Sequence, residues 1–192
     1  MFAELLACPG VEQHVTLRSG VGFLALHGGL EPGTAELARS AADRSRASVY
    51  TVVQPGDLRW HVPAHRVEPG ECPSLAEFLA HVAVVVSLHG YRRADLPMAL
   101  LVGGSNRPLA ARLGTQLRAG LPDYDVIDDL ARIPPDLRGV HPHNPVNLTR
   151  AGGIQLELPH PVRSIGPYRD ASYQAHTVAL VDILAGFARS EA

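Results

Sequence analysis

The 192-residue sequence predicts an α/β fold with a largely parallel central sheet flanked by helices. Three observations carry that expectation. Short, nearly continuous apolar runs recur, as in strands covered on both faces. Segments of helical spacing follow several of them. The two kinds alternate, with no internal repeat and no low-complexity linker, over a length that suits one hydrophobic core, so a single domain spanning 1–192 is expected.

Val21 to Leu26 (VGFLAL) is the first apolar run, and it stops at His27-Gly28-Gly29. Gly33 to Arg44 then alternates small and apolar residues at helical spacing, with Gly33 or Thr34 near the cap and Glu36 early. Val49 to Val53 reads as a second strand, ended by the turn Gln54-Pro55-Gly56-Asp57. The Pro- and His-rich stretch Leu58 to Pro73 predicts a long loop, and Ser74 with Glu77 predicts a capping box at the start of a helix. Val82 to Leu88 is strongly β-branched and ends at His89-Gly90. Met98 to Val102 is a further strand, followed by Gly103-Gly104-Ser105-Asn106-Arg107 and a helix from Pro108 to Ala119. Asp123 to Ile127 suits an edge strand. Asp128 to Asn147 carries four prolines and two histidines with little periodicity, and reads as a long surface excursion. Ile154 to Leu158 is a strand, and Ala171 to Ala188 a closing helix with Val178, Val181, Leu184 and Ala185 turned inward.

Composition narrows the function. With 46% apolar and 19% charged residues the chain is no candidate for disorder. Its net charge of −2, from 17 basic residues that are all arginine and 19 acidic ones, offers no electrostatic footprint for nucleic acid or an anionic membrane. No window approaches the roughly 20 apolar residues of a membrane span. Cys8 and Cys72 are too few for a disulfide framework, and Met1 to Pro9 lacks the charged start of a signal peptide. A cytoplasmic protein is expected.

Ten histidines are many for this length. His27 and His89 each end an apolar strand, and Gly103-Gly104 ends a third in the same style. In open α/β sheets ligands gather outside the carboxyl ends of the strands, so these groups converge if their strands are neighbours. Glu31 follows His27 through two glycines that allow a tight turn. Two histidines and one glutamate make a catalytic zinc set that leaves one position to water. The same residues also read, without metal, as strand-capping imidazoles beside a solvated carboxylate.

In Gly153-Ile154-Gln155-Leu156-Glu157-Leu158 the period-2 alternation places Gln155 and Glu157 on one face. A glutamate in a half-buried strand needs a reason. It is either a general base and acid, its pKa raised by burial, or the partner of Arg150 or Arg163 in an ion pair. Asn106 and Arg107 after a glycine turn, with Arg150 and Arg163 on either side of the Glu157 strand, are candidate clamps for a substrate carboxylate; otherwise they are solvated. His61 and His65 are four apart, but Pro63 between them argues against a helix and against zinc ligation. His141 and His143 flank Pro142 and are expected on the surface. No Walker loop or dinucleotide fingerprint is present, which disfavours nucleotide binding.

Taken in order, His27-Gly-Gly-Leu-Glu-Pro-Gly-Thr-Ala-Glu-Leu-Ala, Trp60-His61-Val-Pro, Ser87-Leu-His89-Gly, Val102-Gly-Gly-Ser-Asn106, Asn147-Leu-Thr-Arg150 and Gly153-Ile-Gln-Leu-Glu157-Leu with Arg163 resemble the poly-γ-glutamate hydrolase family, over roughly residues 20–165. That family includes phage enzymes that digest a γ-glutamyl capsule and is related in fold to the zinc carboxypeptidases. The resemblance implies a mixed-sheet, zinc-carboxypeptidase-like fold, a Zn²⁺ ion held by His27, Glu31 and His89, Glu157 as the catalytic carboxylate, and Asn106, Arg150 and Arg163 facing substrate carboxylates. In one respect the chain departs from the family pattern: the segment from His27-Gly-Gly to the glutamate is one residue shorter.

The expected activity is zinc-dependent hydrolysis of γ-glutamyl-type amides in poly-γ-glutamate or a related acidic substrate. An N-acyl amino acid deacylase or carboxypeptidase-like enzyme of small molecules is the alternative, and a non-catalytic metal- or ligand-binding module a third reading. A polymer hydrolase calls for an open groove rimmed by arginines, a small-molecule enzyme for a closed pocket.

Overall fold

The computed structural model describes residues 1–192. Seven strands form one mixed sheet: β1 (Glu12–Thr16), β2 (Val21–Gly28), β3 (Ser48–Val53), β4 (Val84–Gly90), β5 (Ala99–Gly103), β6 (Asp125–Ile127) and β7 (Gly153–Leu158), in the order β1-β3-β2-β4-β7-β5-β6. Strands β3, β2, β4 and β7 run parallel; β1 pairs antiparallel with β3, and β5 antiparallel with β7. Helices α1 (Phe2–Leu6), α2 (Thr34–Ser45), α3 (Pro73–His81), α4 (Arg107–Gly120) and α5 (Gln174–Ser190) cover the two faces. None of them is long and apolar enough to cross a membrane.

Period-2 alternation sorts the side chains by face. One face sends Phe23, Val86, Leu100 and Leu156 into a single core with Leu37 of α2, Leu113 of α4 and Leu184 of α5. The other face is divided. Leu24, Leu26, Tyr50 and Val52 pack under Phe2 and Leu5 of α1 and Leu75 and Phe78 of α3, while Leu101 and Ile127 meet Tyr91 and Ile133 in a smaller cluster. Between these two apolar patches β4 and β7 present Ser87, His89, Gln155 and Glu157, all buried. A polar trough thus runs down the middle of an otherwise apolar face.

Several elements differ from the sequence expectation. The helix expected at Ser74 starts at Pro73 behind Cys72 and has no side-chain cap; the Ser74 hydroxyl instead donates to Gln13 Oε1. Val82 lies outside β4, which runs on through His89. Val178 is exposed, and the inward face of α5 is completed by Leu180 and Phe187. β1 and α1 were not expected at all. The segment 128–147 is no mere surface excursion: Ile133, Asn144 and Val146 are buried, and the segment supplies part of the wall above the trough.

Candidate metal centre

Three parallel neighbours, β2, β4 and β7, end side by side and bring His27, His89 and Glu157 to one edge of the sheet. His89 stands directly across from Glu157 in the ladder. His27 arrives by a different device. The register of β2 against β3 slips between Ala25 and Gly28, a β-bulge that inserts one residue into β2. Strict alternation would send His27 to the same face as Phe23 and Ala25. The bulge re-aims it to the trough, where its ring lies 5.0 Å from that of His89. Glu31 follows through the turn at Gly29, whose φ of 79° suits glycine and whose Cα faces the Gln54 carbonyl. Glu31 Oε1 lies 3.0 Å from His27 Nδ1 and Oε2 lies 3.5 Å from His89 Nδ1.

The donor set fits a divalent metal on two grounds. The ligand atoms of His27, Glu31 and His89 lie within 4.8 Å of one another, and the contact pairs sit near the roughly 3.3 Å edge of a tetrahedron with bonds of about 2 Å. The outward nitrogens are already engaged: His27 Nε2 is 2.9 Å from the Val62 carbonyl oxygen and His89 Nε2 is 3.0 Å from Ser87 Oγ. A carbonyl only accepts, so Nε2 of His27 carries the proton and Nδ1 is the atom left to bind, the usual outer-shell arrangement of a metal-ligating histidine. The Gly90 amide donates to Glu31 Oε2 at 2.9 Å and holds the carboxylate in place.

The electrostatics agree. Burial alone would depress His27, but the charge of Glu31 and its hydrogen bond win, and the imidazole sits above its ordinary value. Burial would raise Glu31, yet the two histidines hold it far below the usual carboxylate range. Glu157 goes the other way: burial first, then the Glu31 charge, push it well above that range, against the Gln155 hydrogen bond and the Arg163 charge. Two nearby carboxyls are thus driven apart, one held below and one above the usual carboxylate range.

A cavity of about 530 Å³ opens above these groups. Its walls come from the loops after β3 and β6 and include His61, His65, His141, Asp136 and Asn144. The His61 ring is 4.8 Å from that of His27. Burial and the neighbouring His27 hold His61 below its usual value. Sequence reasoning gave His61, His65 and His141 no role; the concentration of histidine in two aperiodic loops was the sign of them. Gln155 was noted for its face alone. It donates from Nε2 to Glu157 Oε1 at 2.8 Å while its Oε1 accepts from Asn144 Nδ2 at 2.9 Å.

The expected substrate clamps lie elsewhere. β5 runs antiparallel to β7, so the turn after it falls at the opposite edge of the sheet. There Asn106 caps α4, accepting from the Leu109 amide and donating to the Ala151 carbonyl. Arg107 is committed to the carbonyls of Val102, Gly104 and Asp128. Arg150 is exposed just ahead of β7, at the same far edge. Arg163 is close to the site but behind it: buried, it donates to the Leu158 and Pro32 carbonyls, with its guanidinium packed against Gly90. It braces the Glu31 loop and does not line the cavity.

Residues 5–178 match the family model for poly-gamma-glutamate hydrolase. The chain belongs to the poly-gamma-glutamate hydrolase family. It is therefore a hydrolase of that family, as the ordered sequence pieces led one to expect. Among solved structures the chain is similar to a bacteriophage poly-gamma-glutamate hydrolase, at 21% identity over 96% of this chain and 93% of that one, with a TM-score of 0.73. It is also similar to a structure described as zinc-free apo YndL, at 25% identity over 91% and 89% of the two chains and the same TM-score of 0.73. A gene product of Agrobacterium tumefaciens shares the fold at 14% identity over 95% of each chain, with a TM-score of 0.53. No curated protein sequence matches the chain.

Proposed function

We propose that this hydrolase is a zinc-dependent amidohydrolase that cleaves γ-glutamyl-type amide bonds in poly-γ-glutamate or a related acidic substrate. The observation that carries the reading is the pairing of a His27–Glu31–His89 donor set with a second, separately buried carboxyl, Glu157, across the same cavity. A zinc ion held by His27, Glu31 and His89 would supply Lewis acidity toward the scissile carbonyl and toward water.

The chain's own residues supply the rest. Glu157 takes a proton from the attacking water and returns it to the leaving amine, a task for which a raised pKa serves both transfers. Gln155 fixes the carboxylate for the attack, and Asn144 fixes Gln155. Val62 and Ser87 orient the two histidines, and Arg163 with Gly90 keeps Glu31 aimed at them. Outside the cluster, the exposure of His61, His65 and His141 leaves the cavity open to solvent, which favours a chain laid across it over a small molecule enclosed within it.

The test is direct. Protein loaded with zinc is incubated with poly-γ-glutamate and, separately, with a panel of N-acyl amino acids, and released amines are followed with and without chelator. Chelator-sensitive cleavage of the polymer is expected. Turnover of the N-acyl amino acids alone would move the reading to a deacylase, and a metal-loaded protein inert toward both would end it.

A further inference from the structure

We propose that His65 and His141 form a carboxylate-recognition pair at the mouth of the cavity, reading the free carboxylates of an acidic chain whose amide lies over His27, Glu31 and His89. This rests on the proposed reading and supplies what the expected arginine clamps do not. A γ-glutamyl linkage leaves one α-carboxylate hanging from every residue, so an enzyme for it needs donors beside the scissile bond. No arginine lines the cavity, and the chain has no lysine. The acidic groups there are accounted for: Glu31 lies between the two histidines, Glu157 is held by Gln155, and Asp136 accepts two hydrogen bonds from Arg93, at 3.0 and 2.7 Å. With the Asn144 amide engaged by Gln155, the remaining side-chain donors on the wall are imidazoles.

Two of these stand out by position. His65, from the turn Ala64–Arg66, and His141, from the segment 128–147, come from two separate loops, and their rings lie 4.8 Å apart. Both are exposed on the cavity side. The tautomer of neutral His141 is set, because its Nδ1 accepts the His143 amide at 3.1 Å, which leaves Nε2–H as the group free to donate. An imidazole N–H donates to a carboxylate oxygen in either protonation state, and two adjacent rings can donate side by side to one carboxylate or to neighbouring ones along a chain.

The test separates this from the reading beneath it. Zinc-loaded Glu157→Gln protein, which does not consume ligand, is titrated with γ-linked tetraglutamate by calorimetry, with and without the added changes His65→Ala and His141→Ala. The double change is expected to weaken binding at least tenfold while the bound metal stays at one ion per chain. The α-methyl ester of the same peptide is expected to bind weakly and equally to both proteins. Equal affinity of the free acid for both proteins, ester binding as tight as acid binding, no binding of the acid at all, or loss of the metal with the two histidines would each overturn the pair. Hydrolysis of the polymer with unchanged binding defeats this inference alone. The expected binding pattern in a wild-type protein that cleaves nothing defeats the proposed function alone.

Discussion

Glu157 is the residue whose identity the chemistry tests most sharply. It was visible in the sequence because a carboxylate amid Ile154, Leu156 and Leu158 has no solvation to justify it, and the structure leaves it 4% exposed with one side-chain donor. Glu157→Gln keeps the shape and removes the base, so turnover is expected to fall about 10²- to 10⁴-fold with metal content unchanged; a fall of less than tenfold would take the base role from it. Gln155 acts through Glu157. Gln155→Met removes the hydrogen bond at similar length, and kcat is expected to drop about tenfold while KM moves little, a split that steady-state kinetics with a full substrate curve resolves. His27 and His89 were legible for the same reason as Glu157, as polar side chains ending apolar strands. Asn106 reads as a candidate substrate clamp because it follows a glycine turn. Capping a helix and lining a site look alike in sequence, because both place a short amide after a glycine.

Strand placement follows from apolar runs, but strand direction does not. Nothing in Met98 to Val102 says that it enters the sheet antiparallel to β7, and that single fact carries Asn106 and Arg107 away from the site. The bulge in β2 is equally silent, since one extra residue in a buried run leaves the run apolar. β1 was invisible because an edge strand with exposed side chains needs only its backbone ladder to β3. The glycine turn after β2, by contrast, can be tested for what it does. A Cβ on Gly29 would lie 2.1 Å from the Gln54 carbonyl oxygen at a φ of 79°. Gly29→Ala is expected to cost about 2 kcal/mol or more, a fall in Tm of roughly 4–8 °C, and to weaken metal binding by displacing Glu31. Gly56→Ala, where an added Cβ meets nothing within 4 Å, is the control and is expected to stay within about 0.5 kcal/mol of wild type. Equal melting temperatures for the two variants would remove the turn's role in placing Glu31.

Across the whole molecule the proposed metal centre would tie stability to metal and pH together. In the metal-free protein His27 and Glu31 satisfy each other as an ion pair. His27 has a raised pKa, so its contribution is complete below the ordinary histidine value of 6.5 and is lost as pH rises through the higher folded value. Glu31 has a lowered pKa, so its contribution is complete above the ordinary carboxylate value of 4.5 and is lost only as pH falls toward its depressed one. The pair therefore supports the metal-free fold best between about pH 4.5 and 6.5, and its support fades above that range as His27 gives up its proton. Metal binding runs the opposite way, because it needs Nδ1 of His27 unprotonated. Zinc at a hundredfold excess over its Kd adds about 2.7 kcal/mol at one site, worth roughly 5–11 °C in Tm for a chain of this size. At fixed free zinc, the rise in Tm on metal addition is expected to be small at pH 5.5 and to grow steadily toward pH 8. Paired melting curves at those two values decide it, and a metal-induced shift independent of pH would mean that the ion does not displace a proton from His27.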